Sequence, residues 1–336
     1  MRRPIGVGVI GLGFMGATHL TAYRRAHAAG YVNRLVAVSD FDAERRAGRA
    51  ARAGNLDTTE GAERLFDPAD VAAYARPEEL LADERVELVS ICTPTRTHVE
   101  LARAALESGK HVLLEKPVAL SSLEARELAE FARTPRYQKQ LCMPAMCLRF
   151  WPAWSWLKQQ IDQATYGPVR SAVFRRLGSR PDWAPFYADP RETGGALFDL
   201  HIHDADFVRH SFGVPDGLSA TGSLDHVTCF YRYAAGPRHV VAEGGWDHAP
   251  GFPFQMGFTV IFEQATADYQ LGRDPELRLS KDGASHAVAL PELDGYEGEI
   301  RHLLGALRDG ETRLRATLVE AADLLEMLEL ERTCLE

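Results

Sequence analysis

Two residues that could transfer a proton lie four positions apart in the segment from Gly194 to Asp206. If this segment is helical, Asp199 and His203 share one face, because residues four apart are neighbours on a helix surface. A carboxylate beside an imidazole can fix the imidazole tautomer and raise its basicity. The spacing therefore predicts His203 as a general base for a hydroxyl proton, with Asp199 orienting and polarising it.

A lysine follows a short apolar run that is typical of a buried strand. The run is His111 to Leu114, and Glu115-Lys116-Pro117 comes directly after it. Open parallel sheets bind their ligands at the carboxyl ends of the strands. We therefore predict that Lys116 is catalytic, either as a proton shuttle or as a donor to a substrate hydroxyl. A surface lysine without a chemical role is the alternative.

The segment that holds Asp199 and His203 also offers a metal-binding chemistry. It includes His201 and Asp204, and imidazole and carboxylate groups are ligands for zinc or iron. A His-x-His pair suits ligation from a strand better than from a helix, and no third-ligand motif is evident elsewhere. We therefore predict no metal site and leave metal binding as the alternative.

A glycine-rich turn joins the first apolar run, residues 5–10, to a predicted helix that continues from Ala17 to Ala29. In this context the first glycine permits a tight turn, the second lets a pyrophosphate approach the backbone, and the third lets the helix pack on the strand. The helix N-terminus adds oriented N–H groups and a partial positive charge. The predicted dinucleotide contacts in this turn are Gly11, Leu12, Gly13, Phe14, Met15 and Gly16.

A carboxylate ends the second predicted strand, Leu35 to Asp40. Asp40 lies 24 residues beyond Gly16 (40 − 16 = 24), which suits a carboxylate that binds the adenosine ribose 2′-hydroxyl. A 2′-phosphate would be repelled there, so NAD is favoured. The nearby Arg45 and Arg46 keep NADP possible.

The elements that position these residues change in character after about residue 122. Up to that point strands alternate with helices, which predicts βαβ units and a parallel sheet. Beyond it strands follow one another, which predicts an antiparallel or mixed sheet with helices on one face. We predict domains at 1–122 and 123–336. The predicted later strands are 168–177, 225–233, 238–246, 254–263 and 266–271, and the predicted later helices are 152–162, 195–211, 297–308 and 316–333.

Composition excludes several classes of partner. The formal net charge is −9, which disfavours binding to nucleic acid or to an anionic membrane surface. No segment approaches the roughly 20 apolar residues that span a bilayer, and the short apolar run at residues 5–10 lacks the features of a signal peptide. A cytoplasmic location is expected. The five cysteines are odd in number and form no Cys-x-x-Cys pair, which indicates reduced thiols.

Taken together, these motifs resemble the glucose–fructose oxidoreductase / inositol dehydrogenase (Gfo/Idh/MocA) family. The resemblance covers nearly the whole chain. Its motifs are the glycine turn after a strand, the segments 91–98 and 109–117, the segment from Gly194 through Asp199 to Asp206, and a weaker match at 148–154.

The resemblance implies a fold and a set of site residues. The fold is α/β, with an N-terminal Rossmann domain and a C-terminal α+β domain that has a large, mostly antiparallel open sheet. That sheet implies a homodimer or homotetramer. Lys116, Asp199 and His203 would be the catalytic residues, and Arg149 would lie near the cofactor or substrate. The residues implied on the nicotinamide side are Thr93, Pro94, Thr95, His98, Glu115 and Lys116.

The implied activity is hydride transfer between NAD(P) and a sugar, cyclitol or related polyol. Two alternatives keep the fold: a redox-neutral, NAD-dependent glycosidase or epimerase, and a non-catalytic protein that senses the cofactor. One residue departs from the family pattern, because His201 stands where many members have glycine. We expect its imidazole to narrow or repolarise the substrate pocket.

Overall fold

The structure is a computed structural model that describes residues 3–49, 64–182 and 185–335. Packing divides the chain into two compact units. The first unit comprises Met1–Cys147 and Tyr296–Asp323, and the second comprises Leu148–Gly295 and Leu324–Glu336. Each unit is therefore built from two separate stretches of the chain.

Strands make up most of the regular structure after residue 168. In chain order they are β1 (Ile5–Ile10), β2 (Asn33–Ser39), β3 (Ala72–Tyr74), β4 (Leu88–Ile91), β5 (His111–Leu114), β6 (Cys142–Pro144), β7 (Val169–Ser179), β8 (Gly217–Ser223), β9 (His226–Arg232), β10 (His239–His248), β11 (Gln255–Phe262), β12 (Thr266–Gln270), β13 (Leu277–Lys281) and β14 (Ala284–Ala287).

Helices follow the early strands and recur near the end of the chain. They are α1 (Phe14–Ala28), α2 (Ala43–Arg46), α3 (Pro77–Leu81), α4 (His98–Glu107), α5 (Ser122–Ala132), α6 (Pro152–Asp162), α7 (Pro190–Thr193), α8 (Ile202–Phe212), α9 (Gly295–Asp309) and α10 (Leu318–Thr333). A π-helical turn, Leu197–His201, leads directly into α8. None of the helices in the described ranges is long and apolar enough to cross a membrane.

The first unit contains a parallel six-stranded sheet with the order β3-β2-β1-β4-β5-β6. Its central strands are almost wholly buried, as expected for a parallel sheet that is covered on both faces. The strand order reverses between β1 and β4, so the crevice at the carboxyl ends of these two strands is where a ligand is expected. The predicted Rossmann domain is confirmed.

The sixth strand carries this sheet past the predicted domain boundary at residue 122. Strand β6 pairs in parallel with β5, with Val112 opposite Cys142. Because β6 is only three residues long and contains a proline, its sequence lacks a strand periodicity. The first unit therefore extends to Cys147.

The second unit contains an eight-stranded sheet with the order β14-β13-β12-β11-β7-β10-β9-β8. Every neighbouring pair is antiparallel except β7 and β10, which are parallel. The prediction of a large, mostly antiparallel sheet is confirmed. The sequence did not predict β8, β13 and β14, because β8 and β14 are the two edge strands, β13 lies next to β14, and their mostly exposed or half-buried residues lack an apolar alternation.

The two faces of the second sheet differ in burial. On one face, Phe258, Phe174, Ala242 and Cys229 form a buried row across four strands. The next row, on the opposite face, is exposed or half-buried: Thr259, Val173, Val241 and Phe230. The buried face is the side against which Trp154 and Phe207 pack, and these residues bring α6 and α8 onto the sheet.

Candidate active site

The glycine turn lies at the point where the order of the first sheet reverses. Gly11 follows β1 with a φ of +85°, and a Cβ at this position would lie 2.6 Å from the carbonyl oxygen of Cys92, which follows β4. Gly16 is equally constrained, because its Cβ would lie 1.9 Å from the carbonyl oxygen of Gly11. Both glycines are therefore required by the fold itself.

Gly13 is different, because among the described residues only Arg45 comes within 4 Å of the position that a Cβ would take. Its φ of −68° suits any residue, and the nearest atom to an added Cβ is Arg45 Nη1 at 3.9 Å. Gly13 is also the N-cap of α1, and no side chain caps this helix. An open backbone at a helix N-terminus fits the pyrophosphate of a dinucleotide. Phe14 and Met15, which begin α1, are partly exposed beside it.

Asp40 holds the glycine turn from the end of β2. One carboxylate oxygen accepts the Leu12 N–H at 2.7 Å, the other accepts the Asp42 N–H at 2.8 Å, and Asp40 is only 6% exposed. Leu12 itself is buried, so only its backbone is available to the turn. Each carboxylate oxygen keeps a second lone pair, so a ribose hydroxyl could still be accepted.

The two arginines after β2 have different surroundings. Arg46 donates to the carbonyl oxygens of Asp40 and Phe41, which fixes it to the backbone. Arg45 lies beside the turn, with Nη1 3.7 Å from the Asp40 carboxylate and about one third of its side chain exposed. A carboxylate and a guanidinium thus adjoin the same turn, and Arg45 is the cation that could meet a phosphate.

The segment after β4 is organised by a buried histidine. His98 Nε2 is 2.7 Å from the Thr93 carbonyl oxygen, and its Nδ1 is 2.8 Å from the Pro117 carbonyl oxygen. Thr93 and Thr95 are partly exposed, and Pro94 is exposed. His98 is 1% exposed. We expected His98 to line the cofactor, but the structure places it beneath the surface, where it ties this segment to the one that carries Lys116.

Lys116 follows β5 and is the partly exposed residue in an otherwise buried stretch from Val112 to Ala119. Glu115 is 5% exposed, and its Oε2 accepts the Lys116 N–H at 3.1 Å. The Glu115 carboxylate therefore faces inward and holds the lysine backbone. The Glu115 side chain is directed to the interior, and its contact with the cofactor stays a prediction.

The sequence did not indicate two further residues that complete this anchor. His19 in α1 places Nε2 2.9 Å from Glu115 Oε1 and 3.9 Å from Glu299 Oε1 in α9. His19 and Glu299 are both fully buried. The only signal for His19 was a polar residue within the apolar, buried face of α1. The network links two helices to the backbone of Lys116.

Asp199 and His203 are the partly exposed residues of a helical stretch that is buried elsewhere from Gly195 to Val208. Asp199 lies in the π-helical turn and His203 lies in the first turn of α8. A single π-helical turn is frequent at functional sites. The carboxylate of Asp199 and the imidazole of His203 are thus the partly exposed groups of this stretch, and their action as an orienting carboxylate and a general base stays a prediction.

Two buried ion pairs fix α8 beneath these outward residues. Asp206 receives a bidentate pair of hydrogen bonds from Arg149, at 2.9 and 2.7 Å, and both side chains are 1% exposed. Asp204 accepts from Arg176 Nε in β7 at 2.8 Å. Arg149 was expected near the cofactor or substrate. The structure instead commits its guanidinium to Asp206, because a buried carboxylate requires a charged partner.

His201 is also turned inward, and its influence on the substrate pocket stays a prediction. Its Nε2 lies 2.9 Å from Glu331 Oε2 in α10, and its side chain is fully buried. Gly244 makes room for it, since a Cβ there would lie 2.7 Å from His201 Cβ. Tyr231 donates to Glu331 at 2.8 Å, and burial, with Glu331, raises the pKa of Tyr231 well above its usual value. The phenol is therefore neutral.

The four residues of the alternative metal site, Asp199, His201, His203 and Asp204, have different surroundings. Asp204 turns to Arg176 and His201 turns to Glu331, whereas Asp199 and His203 face outward. They present no common position for an ion. Ion pairs of His201, Asp204 and Asp206 anchor this helical segment on its buried sides, whereas Asp199 and His203 are partly exposed.

Two family models match the chain. The model described as "Oxidoreductase family, NAD-binding Rossmann fold" matches residues 5–141, and the model described as "GFO/IDH/MocA C-terminal domain" matches residues 154–267. The first match spans β1 to β5 of the parallel sheet and ends just before β6. The second spans α6 to the start of β12.

Individual relatives agree with these matches. An uncharacterized oxidoreductase of Synechocystis sp. is 32% identical over 65% of this chain and 54% of its own length. The myo-inositol 2-dehydrogenase of Thermotoga maritima is 27% identical over 70% of this chain and 67% of its own length. The structure of UDP-N-acetylglucosamine 3-dehydrogenase from Acidithiobacillus ferrooxidans has a TM-score of 0.75 at 25% identity, over 99% of this chain and 98% of that chain.

The sequence match with the Synechocystis relative covers about half of that protein. The solved structure is matched over almost its whole length. Both family models and the two sheets agree on the same assignment, and the chain belongs to the Gfo/Idh/MocA family of NAD-binding oxidoreductases.

Proposed function

We propose that this chain is an NAD-dependent dehydrogenase that transfers a hydride between the nicotinamide and a sugar, cyclitol or related polyol. The observation that carries the proposal is the selective exposure of three residues. Lys116, Asp199 and His203 are each open to solvent within segments that are otherwise buried and anchored. The names of the inositol and UDP-N-acetylglucosamine relatives support the substrate class.

The first unit would hold the cofactor. The open backbone at Gly13 and the N-terminus of α1 would receive the pyrophosphate, and Asp40 would accept a ribose hydroxyl. The loop residues Thr93, Pro94 and Thr95 would lie on the nicotinamide side. The bound cofactor supplies the hydride acceptor, and Asp40 favours NAD over NADP.

The remaining steps belong to the side chains of the protein. His203 accepts the proton of the substrate hydroxyl, and Asp199 orients the imidazole. Lys116 donates a hydrogen bond to the same oxygen as negative charge develops on it. In the reverse direction His203 returns the proton to that oxygen. The mechanism requires Lys116 and His203 to reach one substrate oxygen.

Two variants test this mechanism directly. Lys116→Met and His203→Asn should each reduce kcat at least about 100-fold, the lower end for general acid–base groups. The Kd of NAD should change little, because neither change alters the glycine turn. Activity is measured as NADH formation with a panel of sugars, inositols and sugar acids. Wild-type activity in either variant would overturn the proposal.

The panel also separates the two alternatives. Substrate conversion without release of NADH would identify a redox-neutral glycosidase or epimerase. Cofactor binding without conversion of any compound would favour a non-catalytic cofactor sensor. Both outcomes would leave the NAD site intact and remove only the proposed chemistry.

We also propose that the chain assembles through the open face of the second sheet as a homodimer or homotetramer. This face carries the half-buried row Val173, Val241 and Phe230, and Ile261 beside it is 42% exposed. Light scattering should give a multiple of the chain mass. Val241→Glu should shift the mass toward the single chain, whereas a wild-type protein that is already monomeric would refute the assembly.

A further inference from the structure

A second cluster of potential ligands lies in the second unit at the joined ends of β9 and β10. His226, Asp247 and His248 each offer one ligand atom, and these atoms all lie within 4.8 Å of one another. None of the three belongs to the proposed catalytic set. We propose that this cluster, the His226–Asp247–His248 site, binds a divalent first-row transition metal such as Zn²⁺.

The fold brings these side chains together through two local devices. His226 pairs with Gly245 across the strands, and a Cβ on Gly245 would lie 2.7 Å from the imidazole, so the missing side chain admits the ring. Asp247 and His248 both stand opposite Ser179 of β7, which is a β-bulge. A bulge redirects side chains at the end of a strand. Here it lets two consecutive residues approach His226.

One ring nitrogen in the cluster has no hydrogen-bond partner among the residues that the structure describes. His248 Nε2 is buried and makes no hydrogen bond to any described residue. The ring is held flat against Phe252, with 4.0 Å between the ring centroids and 10° between the planes. Buried polar atoms are almost always satisfied by protein, water or an ion. A metal would satisfy this nitrogen.

His226 has the hydrogen-bonding partners that a metal-ligating histidine usually has on its second ring nitrogen. His226 Nε2 lies 3.2 Å from Glu243 Oε1, and Glu243 in turn accepts from Arg175 Nε at 2.7 Å. Metal-ligating histidines commonly donate their second ring N–H to a carboxylate, which fixes the tautomer and the ring orientation. That arrangement leaves His226 Nδ1 facing Asp247 Oδ1, at 2.7 Å, as the ligand atom.

The donor set defines the class of metal. Two imidazoles and one carboxylate suit zinc, iron, cobalt or nickel better than calcium or magnesium, which prefer oxygen ligands. Metal–ligand bonds of about 2.0–2.2 Å require the 2.7 Å contact between His226 Nδ1 and Asp247 Oδ1 to lengthen, because a metal would replace the hydrogen bond between them. About half of the Asp247 side chain is exposed, so it is free to make that adjustment. Water would complete the coordination.

The site has a structural consequence for the helix that bears Asp199. Trp246 precedes Asp247 and packs in one cluster with Ala196 and Leu200 beside the π-helical turn. A metal that joins β9 to the bulged end of β10 would fix the strand on which this cluster rests. The expected effect is stabilisation, because a ligand that binds only the folded state raises the unfolding temperature.

The alternative is that His226 is an imidazolium held by Asp247 and Glu243 without any metal. Both arrangements explain the short contacts of His226, and the metal also supplies a partner for the buried nitrogen of His248. They also differ in outcome, because an imidazolium would repel a cation and leave no stoichiometric binding.

The test is zinc binding to the tag-free, chelator-stripped full chain, followed by calorimetry and by competition with a chromophoric chelator. Wild type should bind one equivalent per chain and unfold at a higher temperature with zinc. His226→Gln and His248→Gln should each lose the stoichiometric equivalent. Glu243→Gln should bind about 10- to 100-fold more weakly. His239→Gln, at the other end of β10, is the matched control and should bind like wild type.

Two results would overturn the site. One is a wild-type chain that binds no stoichiometric zinc. The other is an equivalent that persists in both His226→Gln and His248→Gln. Either variant alone suffices if the other does not fold, and light scattering of each variant shows whether assembly is unchanged. The readout does not depend on dehydrogenase activity, so it stands apart from the proposed function.

Discussion

Two glycines of the turn, Gly13 and Gly16, should respond differently to the same added methyl group. Gly13→Ala places a Cβ 3.9 Å from Arg45 Nη1, its nearest non-local contact among the described residues, in a backbone conformation that alanine accepts. Gly16→Ala places it 1.9 Å from a carbonyl oxygen. We therefore predict that Gly13→Ala spares the fold and weakens NAD binding, whereas Gly16→Ala destabilises the fold itself.

The magnitudes follow from these distances. Gly13→Ala should change the free energy of unfolding by no more than about 0.5 kcal/mol, as for other substitutions without a steric conflict. The methyl group would hold the pyrophosphate away from the backbone N–H groups. Losing one charge-assisted hydrogen bond costs about 1.5–3 kcal/mol, which raises the Kd of NAD about 10- to 150-fold.

Gly16→Ala forces an overlap that only a backbone shift can relieve. Overpacking of this kind costs about 1–3 kcal/mol or more. At about 2–4 °C per kcal/mol, the unfolding temperature should fall by about 2–12 °C. Gly305→Ala in α9 is the matched control, since its Cβ would meet only Tyr31 at an ordinary 3.6 Å. Calorimetric titration with NAD and thermal unfolding measure both effects.

Two results would contradict the different roles of Gly13 and Gly16. If Gly13→Ala binds NAD as wild type does, the open space beside Gly13 is not the pyrophosphate site. If Gly13→Ala and Gly16→Ala lower the unfolding temperature equally, the difference in their surroundings does not control stability. A loss of NAD affinity in Gly305→Ala would show that the assay reports general damage.

Three further predictions concern buried groups. His19→Leu should lower kcat about 100-fold with little change in the Kd of NAD, because it releases the Glu115 side chain that holds the Lys116 backbone. His19→Gln should have a kcat at least tenfold higher than that of His19→Leu, and equal kcat in wild type and both variants would contradict the anchoring role. Arg149→Met alone should lower the free energy of unfolding by about 3–5 kcal/mol, because it leaves the Asp206 carboxylate buried without its partner. The double variant Arg149→Met/Asp206→Leu should regain most of that free energy in thermal unfolding, and additive losses from the two changes would contradict the ion pair. Burial lowers the pKa of His111, whose Nδ1 accepts a backbone hydrogen bond, so this residue should make the protein less stable as the pH drops below about 6.5. Burial also lowers the pKa values of His98 and His302, so unfolding titrations of His111→Gln should show a smaller loss of stability over this range than those of wild type; an equal loss would contradict the prediction.

The sign of the last prediction follows from proton binding. A histidine whose folded pKa is lowered takes up its proton first in the unfolded chain. The unfolded state therefore gains protons as the pH falls below the ordinary value of 6.5, and stability is lost over that range. Above it both states are neutral and His111 contributes no pH dependence.

The parts of the fold that the sequence predicted are those with strong local patterns. The alternation of apolar runs and helices indicated the parallel sheet, and β7, β9, β10, β11 and β12 were each expected within a few residues of their observed bounds. The missed strands are edge strands such as β8, whose sequence is largely polar and exposed. A strand that buries little apolar surface leaves little trace in its residue pattern.

The surroundings of a site residue can be predicted from the sequence where the motif itself fixes the backbone, but not where a partner distant in the sequence fixes the side chain. Gly11 and Gly16 follow from local geometry alone. Arg149 is 57 residues from Asp206, and His201 is 130 residues from Glu331 (331 − 201 = 130). No local pattern reveals such pairs, because only the folded chain decides which buried charge meets which partner.

This distinction changes how the helical motif is interpreted. From the sequence, Asp199, His201, His203 and Asp206 formed one polar cluster with several possible chemistries. In the structure His201 and Asp206 serve as anchors, and Asp199 and His203 remain outward. Buried anchors restrict the motion of a helix, and a general base needs a fixed position to act on one proton. The inward residues of the motif are therefore the physical condition for the outward pair, although they need not contact the substrate themselves.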